Sequence, residues 1–281
     1  MTWERFGYLC RKAAVTCGER EVVSDCLARI EQEAVCGLYG AEMATNSWPR
    51  RILDKIGALA NREAAVAALT LYGRLKLTRP ADELMKFKGI TSYLLAIALV
   101  YFVVVAIYQL KVAPTFVNAF TNLEVQVPAL LVYYRDYWGW LVALVAAVLM
   151  AALLVGHRLQ QMFQFQAGIE QSPVFKYLLF SNTRVSYLRL IELLQAPLHM
   201  YGGPAPGDTA IARHLLAIKT TPMDLATEIE ALIAGELRQL LECGQAQMKA
   251  LTVIVAGLLA ASVFIFLFSA YAPLFMLGDA V

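Results

Sequence analysis

Charged residues are scarce in this sequence, and they are missing altogether from three long stretches. Asp, Glu, Lys and Arg make up 16% of the 281 residues, against about 25% in a typical soluble domain, and 59% of the residues are hydrophobic. No Asp, Glu, Lys, Arg or His occurs in residues 90–110, 137–155 or 251–277. A helix of about 20 residues crosses a hydrocarbon core of roughly 30 Å. The composition therefore excludes an ordinary soluble domain and predicts three transmembrane helices at these positions.

The sequence also lacks the motifs of catalysis and of cofactor binding. It contains no GxxxxGK[ST], GxSxG or HExxH pattern. Its histidines have no metal-ligand spacing, and they are His157, His199 and His214. The three spans carry no ionisable side chain of the kind that marks a proton relay or a substrate path. We therefore expect neither enzyme activity nor a cofactor, and the spans argue against a channel or transporter.

The cysteines form no recognisable metal motif. They are Cys10, Cys17, Cys26, Cys36 and Cys243. No CxxC pair is present, and no histidine lies near the first four cysteines. A zinc site is possible on this spacing but disfavoured. We expect reduced thiols that pack as small hydrophobic side chains, and no bound metal.

The basic residues are distributed unevenly between the segments that the spans separate. Of the 24 Lys and Arg residues, 14 lie in residues 1–89, 2 in residues 111–136, 8 in residues 156–250 and none after residue 277. Segments rich in Lys and Arg stay on the cytoplasmic side of a membrane. The N terminus and residues 156–250 are therefore predicted to be cytoplasmic, and the loop 111–136 and the tail 278–281 periplasmic.

Hydrophobic residues recur at helical spacing in both predicted cytoplasmic segments, and neither shows the strict alternation of a strand. Asn61 is a predicted helix cap in the first segment. In the second segment a long helix is predicted to begin at Thr221, and no helix breaker precedes Leu251, so this helix is expected to continue into the third span. We predict an all-α membrane protein with two cytoplasmic helical-bundle domains, residues 1–88 and 156–250, and three transmembrane helices.

Two short elements resemble a known protein family. The run VAPTF at residues 112–116 is followed by Phe120 and by EVQVP at residues 124–128, and the third span ends in YAPLF at residues 271–275. With the order of the spans, these elements resemble the inner-membrane platform protein of type II secretion systems and type IV pili, often called the F or C component. The similar positions are Pro114, Phe116, Phe120, Pro128 and Pro273, and Gly235 and Glu236 are the nearest match to the Gly-Glu element of the family. The family's Glu-Pro pair before the last span is missing here, which indicates a divergent branch.

The resemblance implies a non-enzymatic scaffold in the bacterial inner membrane. Its implied partners are a cytoplasmic hexameric assembly ATPase, pilin or pseudopilin subunits, other inner-membrane assembly proteins, membrane lipid and further copies of itself, but not nucleic acid. A membrane anchor or adaptor for another cytoplasmic complex is the alternative function, and a small channel or transporter is a weaker one. We hypothesise that Pro114 and Pro128 set the turn between the first two spans. Glu236 is expected either on a solvated helix face or at a partner contact.

Overall fold

The structure of the chain is a computed structural model that describes residues 2–19, 21–77, 81–122, 129–202, 209–221 and 223–279. Within these ranges every regular element is a helix or a helical turn. Three of the helices are long and apolar enough to cross a membrane. The prediction of an all-α fold with three helices long and apolar enough to span a membrane is therefore confirmed for the described residues.

The helices follow one another along the chain with short connections. In order they are α1 (Thr2–Thr16), α2 (Val23–Glu31), α3 (Trp48–Gly57), α4 (Arg62–Arg74), α5 (Ala81–Ile107), α6 (Ala113–Asn122), α7 (Ala129–Phe163), α8 (Pro173–Tyr177), α9 (Ser181–Met200), α10 (Ala210–Lys219) and α11 (Leu225–Asp279). Two 3-10 turns lie at Ala34–Tyr39 and Ile169–Gln171, and a π-helical turn lies at Tyr108–Val112. The chain forms two compact units. The first comprises Met1–Leu84 and Arg158–Gln245, and the second comprises Met85–His157 and Ala246–Val281.

The first unit contains both of the segments that were predicted as separate domains. The hydroxyl of Tyr72 on α4 donates a hydrogen bond to the carbonyl oxygen of Leu194 on α9, at 2.7 Å. The backbone N–H of Trp48 donates to the carbonyl oxygen of Phe165, at 2.9 Å. These contacts join residues more than a hundred positions apart in one interior. The prediction of two separate bundles is therefore not confirmed.

The core of the first unit begins with the apolar face of α1. The residues of this face are Trp3, Phe6, Leu9, Cys10 and Ala13, and all are buried. They recur every three to four positions, so a helix places them on one side. The ring of Phe6 lies edge-on to the rings of Trp3 and Tyr72, with centroids 5.2 and 5.4 Å apart. This is the helical stripe that the sequence predicts.

Two predicted helix starts in the first unit can be compared with the structure, and one of them is correct. The side chain of Asn61 accepts hydrogen bonds from the N–H groups of Glu63 and Ala64, so this predicted cap is confirmed. The long helix α11 begins at Leu225, after Asp224, and not at Thr221. The Thr221 hydroxyl instead donates to the carbonyl oxygen of Ile218 in the preceding helix, at 2.9 Å.

The second unit is built from α5, α7 and the C-terminal part of α11. Its core consists of apolar side chains from all three helices, namely Ala98, Tyr101, Val105, Val145, Leu149, Ala152, Val255 and Leu259. The hydroxyl groups of Tyr101 and Ser262 are hydrogen-bonded to each other within this unit. In an apolar environment such a pair satisfies two polar groups that lipid could not.

The second unit differs from the prediction in the segment 111–136. Residues 113–122 form α6, which follows α5 through the π-helical turn, and α7 already begins at Ala129. The apolar helical stretch of the first span therefore extends over Leu95–Asn122. Pro114 lies in the first turn of α6 and not in a loop. The helix continues past Pro114 because the π-helical turn before it contains one extra residue. This wider turn relieves the clash between the proline ring and the preceding carbonyl oxygen.

The prediction of one continuous helix into the third span is confirmed, since α11 extends from Leu225 to Asp279 without a break. The sequence predicts this because no proline occurs between Leu225 and Leu251. The side to which each terminus faces is not defined by these helices and stays a prediction.

Candidate functional site

Glu236 occupies a position on α11 where the sequence pattern calls for an apolar residue. The buried face of α11 in the first unit includes Ala226, Ile229, Ile233 and Leu240. Glu236 follows Ile233 by three positions and precedes Leu240 by four, so it lies on this same face. Its side chain is only 18% exposed. A carboxylate is therefore held among core positions, where sequence reasoning expected either a solvated face or a contact.

The carboxylate of Glu236 is only partly satisfied within the described part of the chain. Its Oε1 lies 3.9 Å from Nη1 of Arg189 on α9, and Arg189 is half exposed. Its Oε2 is buried and has no hydrogen-bond partner among the described residues. Arg238, two positions further along α11, makes no ion pair with Glu236 in the described part of the chain. A buried carboxylate oxygen without a donor costs free energy, so a donor from a partner molecule would stabilise it.

The helix backbone is accessible at Gly235, the residue before Glu236. Gly235 is exposed, and a Cβ atom built at this residue would meet no heavy atom within 4 Å. A partner could therefore come close to the backbone of α11 here. The two residues combine an accessible backbone with a carboxylate oxygen, Oε2, that has no donor among the described residues.

A groove of about 310 Å³ lies along the same part of α11 within the first unit. Three charged residues line the groove, namely Lys76, Glu230 and Arg238. The backbone N–H of Lys76 donates a hydrogen bond to Glu230 Oε2 at 3.4 Å. The apolar part of the lining consists of Trp3, Leu77, Phe165, Leu194, Ile233, Ala234, Leu237 and Leu241. An apolar floor with a few charges at its edge suits an apolar side chain of a protein partner.

The residues of the first family-like element lie in and beside α6. Phe120 is fully buried, Phe116 is partly buried and Pro114 is exposed. Ala113 and Tyr108 form a small core, and the ring of Tyr108 lies edge-on to Phe266 with centroids 4.6 Å apart. The structure thus gives Phe120 a packing role.

The two other prolines that resemble family positions are Pro128 and Pro273. Pro128 lies outside the described residues, so its predicted role in the turn stays a prediction. Pro273 lies within α11, where the sequence placed the end of the third span. The family-like residues of α6 belong to the second unit, whereas Gly235 and Glu236 belong to the first.

Sequence reasoning missed Gln109, a polar residue in the π-helical turn. Gln109 is 8% exposed, and its side-chain Nε2 has no hydrogen-bond partner among the described residues. The first span was treated as featureless because only ionisable residues were sought in it. A glutamine in an otherwise apolar run was the available signal. A second group that was missed, Cys17, Glu21 and Cys26, gave no signal because its spacing matches no known motif.

Comparison with known protein families, with curated proteins and with solved structures gives no match to this chain, and the resemblance noted in its sequence stays a prediction.

Proposed function

We propose that this chain is the inner-membrane platform of a type IV pilus or type II secretion assembly machine. In this role it couples a cytoplasmic hexameric ATPase to the insertion of pilin or pseudopilin subunits into a fibre. The observation that carries the proposal is the division into two units. One is a helical unit assembled from both polar segments, and the other contains apolar helices without ionisable residues in their predicted spans.

The apolar unit suits a scaffold better than a conduit. A pathway for ions is lined by ionisable groups, and residues 90–110, 137–155 and 251–277 contain no Asp, Glu, Lys, Arg or His, while the extension of the first span to Asn122 adds only Lys111, which is exposed. The helices instead present large exposed apolar side chains, among them Leu95, Leu99, Val103, Val253, Phe264 and Phe268. In a membrane, such side chains pack against lipid or against another apolar helix. The apolar N-terminal helix of a pilin subunit is a ligand of this kind.

The first unit supplies the cytoplasmic contact in this proposal. Gly235 and Glu236, with the adjacent groove, are the candidate contact for the ATPase or for a second copy of the chain. Because Oε2 is buried in the chain alone, the side chain of Glu236 has to turn toward the partner before a donor there completes its hydrogen bonding. Truncation of one member of a buried charged pair at an interface costs about 2–5 kcal/mol of binding.

Co-purification tests the proposal directly. The tagged chain is expressed in its native host, solubilised in mild detergent and captured, and the captured proteins are identified by mass spectrometry. We expect a hexameric assembly ATPase and a pilin-like subunit, and we expect loss of fibre or secretion when the chain is deleted. Recovery of neither partner, together with normal fibre output after deletion, would contradict the proposal. Recovery of a different cytoplasmic complex would support the adaptor alternative.

The Glu236→Ala variant tests the proposed contact, with Glu242→Ala as its matched control. Both residues are on α11, but Glu242 is exposed. We expect Glu236→Ala to keep its membrane level, because the lost carboxylate makes only one long ion pair, and to lose ATPase co-purification by tenfold or more. If both variants behave alike in membrane level, co-purification and fibre output, Glu236 is not a contact residue.

A further inference from the structure

Three side chains that can bind a metal ion meet at the corner between α1 and α2. Cys17 directly follows α1, Glu21 lies in the connection and Cys26 lies within α2. The two sulfur atoms and a carboxylate oxygen all lie within 4.8 Å of one another. Cys26 is buried, whereas Cys17 and Glu21 are partly exposed. The cluster therefore has two anchored thiols and a side that faces solvent.

Hydrogen bonds hold the connection in this conformation. The N–H of Cys17 donates to the carbonyl oxygen of Ala13, and the N–H of Glu21 donates to that of Gly18, both at 3.1 Å. Nη2 of Arg62 on α4 donates to the carbonyl oxygens of Cys17 and Gly18, at 3.0 and 2.9 Å. The backbone that carries two of the three groups is thus fixed before any ligand binds, which lowers the cost of binding.

Arg29 gives the carboxylate of Glu21 a defined orientation. Its Nε donates to Oε1 at 3.1 Å, and its Nη2 donates to Oε2 at 3.0 Å. Oε2 also accepts from the N–H of Gly18 at 3.5 Å, so Oε1, which accepts from Arg29 alone among these donors, is the oxygen that can keep its bond and still bind an ion. Metal-binding carboxylates are commonly held by such a hydrogen-bonded neighbour. The charge of Arg29 also offsets the negative charge of two thiolates and a carboxylate around a divalent ion.

We propose that Cys17, Glu21 and Cys26 bind a divalent transition-metal ion of the zinc class, with water as the fourth ligand. Thiolates select soft or borderline ions, and a mixed sulfur and oxygen set of four ligands suits tetrahedral zinc. Ligand atoms in such a site lie about 3.5–4 Å apart, since each is roughly 2.0–2.3 Å from the ion. Small side-chain movements therefore complete the site. The ion links the end of α1 to the start of α2.

Binding of the ion displaces protons from the thiols. Burial, and then the neighbouring thiol of Cys17, raises the pKa of Cys26 to about 11. In the metal-free protein Cys26 is therefore a neutral thiol at neutral pH. Each thiol that becomes a ligand exchanges its S–H bond for a metal–sulfur bond, and its proton passes to the buffer. The step needs no oxidant and no reductant.

Cobalt is a suitable probe because Co²⁺ bound to thiolates has a sulfur-to-metal charge-transfer absorption. The full-length chain, with a histidine-free tag, is purified in detergent, stripped with a chelator and kept in a phosphine reductant that prevents disulfide formation. We expect one Co²⁺ per chain, with the thiolate band and the visible spectrum of a tetrahedral ion, and displacement of cobalt by Zn²⁺. Absence of the thiolate band in the reduced wild-type protein overturns the proposal.

Single substitutions identify the ligands. Cys17→Ser and Cys26→Ser each remove one of the two thiolates. Each variant is therefore expected to have a weaker thiolate band than wild type and to bind cobalt at least tenfold more weakly. Glu21→Gln is expected to keep the thiolate band but to weaken binding. Cys243→Ser removes a partly exposed thiol elsewhere in the first unit and is expected to leave binding unchanged. Circular dichroism establishes that each variant is folded. Wild-type affinity in a folded Cys17→Ser/Cys26→Ser double variant overturns the proposal.

Discussion

Tyr72 and Glu236 are two polar side chains in the interior of the first unit, and they differ in how well they are satisfied. The Tyr72 ring is fully buried, and its hydroxyl donates to the carbonyl oxygen of Leu194. The Glu236 carboxylate has one long ion pair and one oxygen without a partner among the described residues. A satisfied buried group supports the fold, whereas an unsatisfied one opposes it unless a partner supplies the missing bond. The two residues therefore lead to opposite expectations for stability.

Tyr72→Phe is expected to destabilise the chain by about 1 kcal/mol, which is the typical net contribution of one buried hydrogen bond. The ring is kept, so no cavity forms, and only the bond that joins α4 to α9 is lost. Tyr177→Phe is the matched control, because Tyr177 is 76% exposed. Denaturant unfolding in detergent, followed by circular dichroism, measures both variants. Equal midpoints for the two variants would show that the bond between Tyr72 and Leu194 contributes nothing.

Asp224 is expected to make stability depend on pH in the acidic range. A hydrogen bond from the Thr227 hydroxyl, together with the nearby Arg74 guanidinium, lowers the pKa of the Asp224 carboxyl below its usual value of 3.8. Because the pKa is lower in the folded state, this stabilisation is present above the unfolded pKa and is lost as pH falls through the folded pKa. Asp224→Asn keeps a helix-capping oxygen and removes the titration. Melting temperatures measured from pH 5 to about pH 3 should fall less steeply for Asp224→Asn than for wild type, and Asp25→Asn on α2 serves as control.

The sequence predicts a loop at Pro114, whereas the structure has a helix there, and the helices α5 and α6 show the reason. Proline removes an N–H donor and crowds the preceding turn, so a proline after an apolar run favours a loop. The π-helical turn Tyr108–Val112 relieves this crowding by one added residue, and the helix continues to Asn122. No pattern in the sequence predicts a π-helical turn. The extended apolar stretch, in contrast, could have been predicted, since only Lys111 interrupts it.

Deletion of Leu110 tests the role of the π-helical turn. Leu110 is 75% exposed, so its side chain contributes little packing. The π-helical turn holds one residue more than an α-helical turn, so the deletion converts it to a regular α-helix and brings the ring of Pro114 against the carbonyl oxygen four residues before it. We expect the melting temperature in detergent to fall by several degrees, because a proline inside a regular helix costs about 3 kcal/mol. Pro114→Ala is the control, because Pro114 is exposed and a helix accepts alanine. A deletion variant that melts like wild type would mean that the turn has no structural role.

For the molecule as a whole, charge and hydropathy predicted what each segment is but not which segments pack together. The gaps between charged residues located three apolar helices, and the lack of a breaker predicted the continuous α11. The hydrogen bond between Tyr72 and Leu194 joins positions 122 residues apart, and helical periodicity shows which face of a helix is apolar without showing what covers it. For the same reason the meeting of Cys17, Glu21 and Cys26 depends on the angle of a corner that no local pattern specifies.

The distribution of basic residues predicts the orientation of the chain in the membrane, and single cysteines can test it. The five native cysteines are first replaced by serine. Cysteine is then placed at Asn118 or Asn122 of α6, and at Ser24 or Thr220 of the first unit, and all four positions are exposed. Intact cells are treated with a membrane-impermeant maleimide. With 22 of the 24 Lys and Arg residues outside the segment 111–136, the first unit is expected in the cytoplasm. Asn118 and Asn122 should therefore react from outside, while Ser24 and Thr220 should react only after lysis. Reaction at Ser24 or Thr220 in intact cells would reverse the orientation and rule out contact between the first unit and a cytoplasmic ATPase.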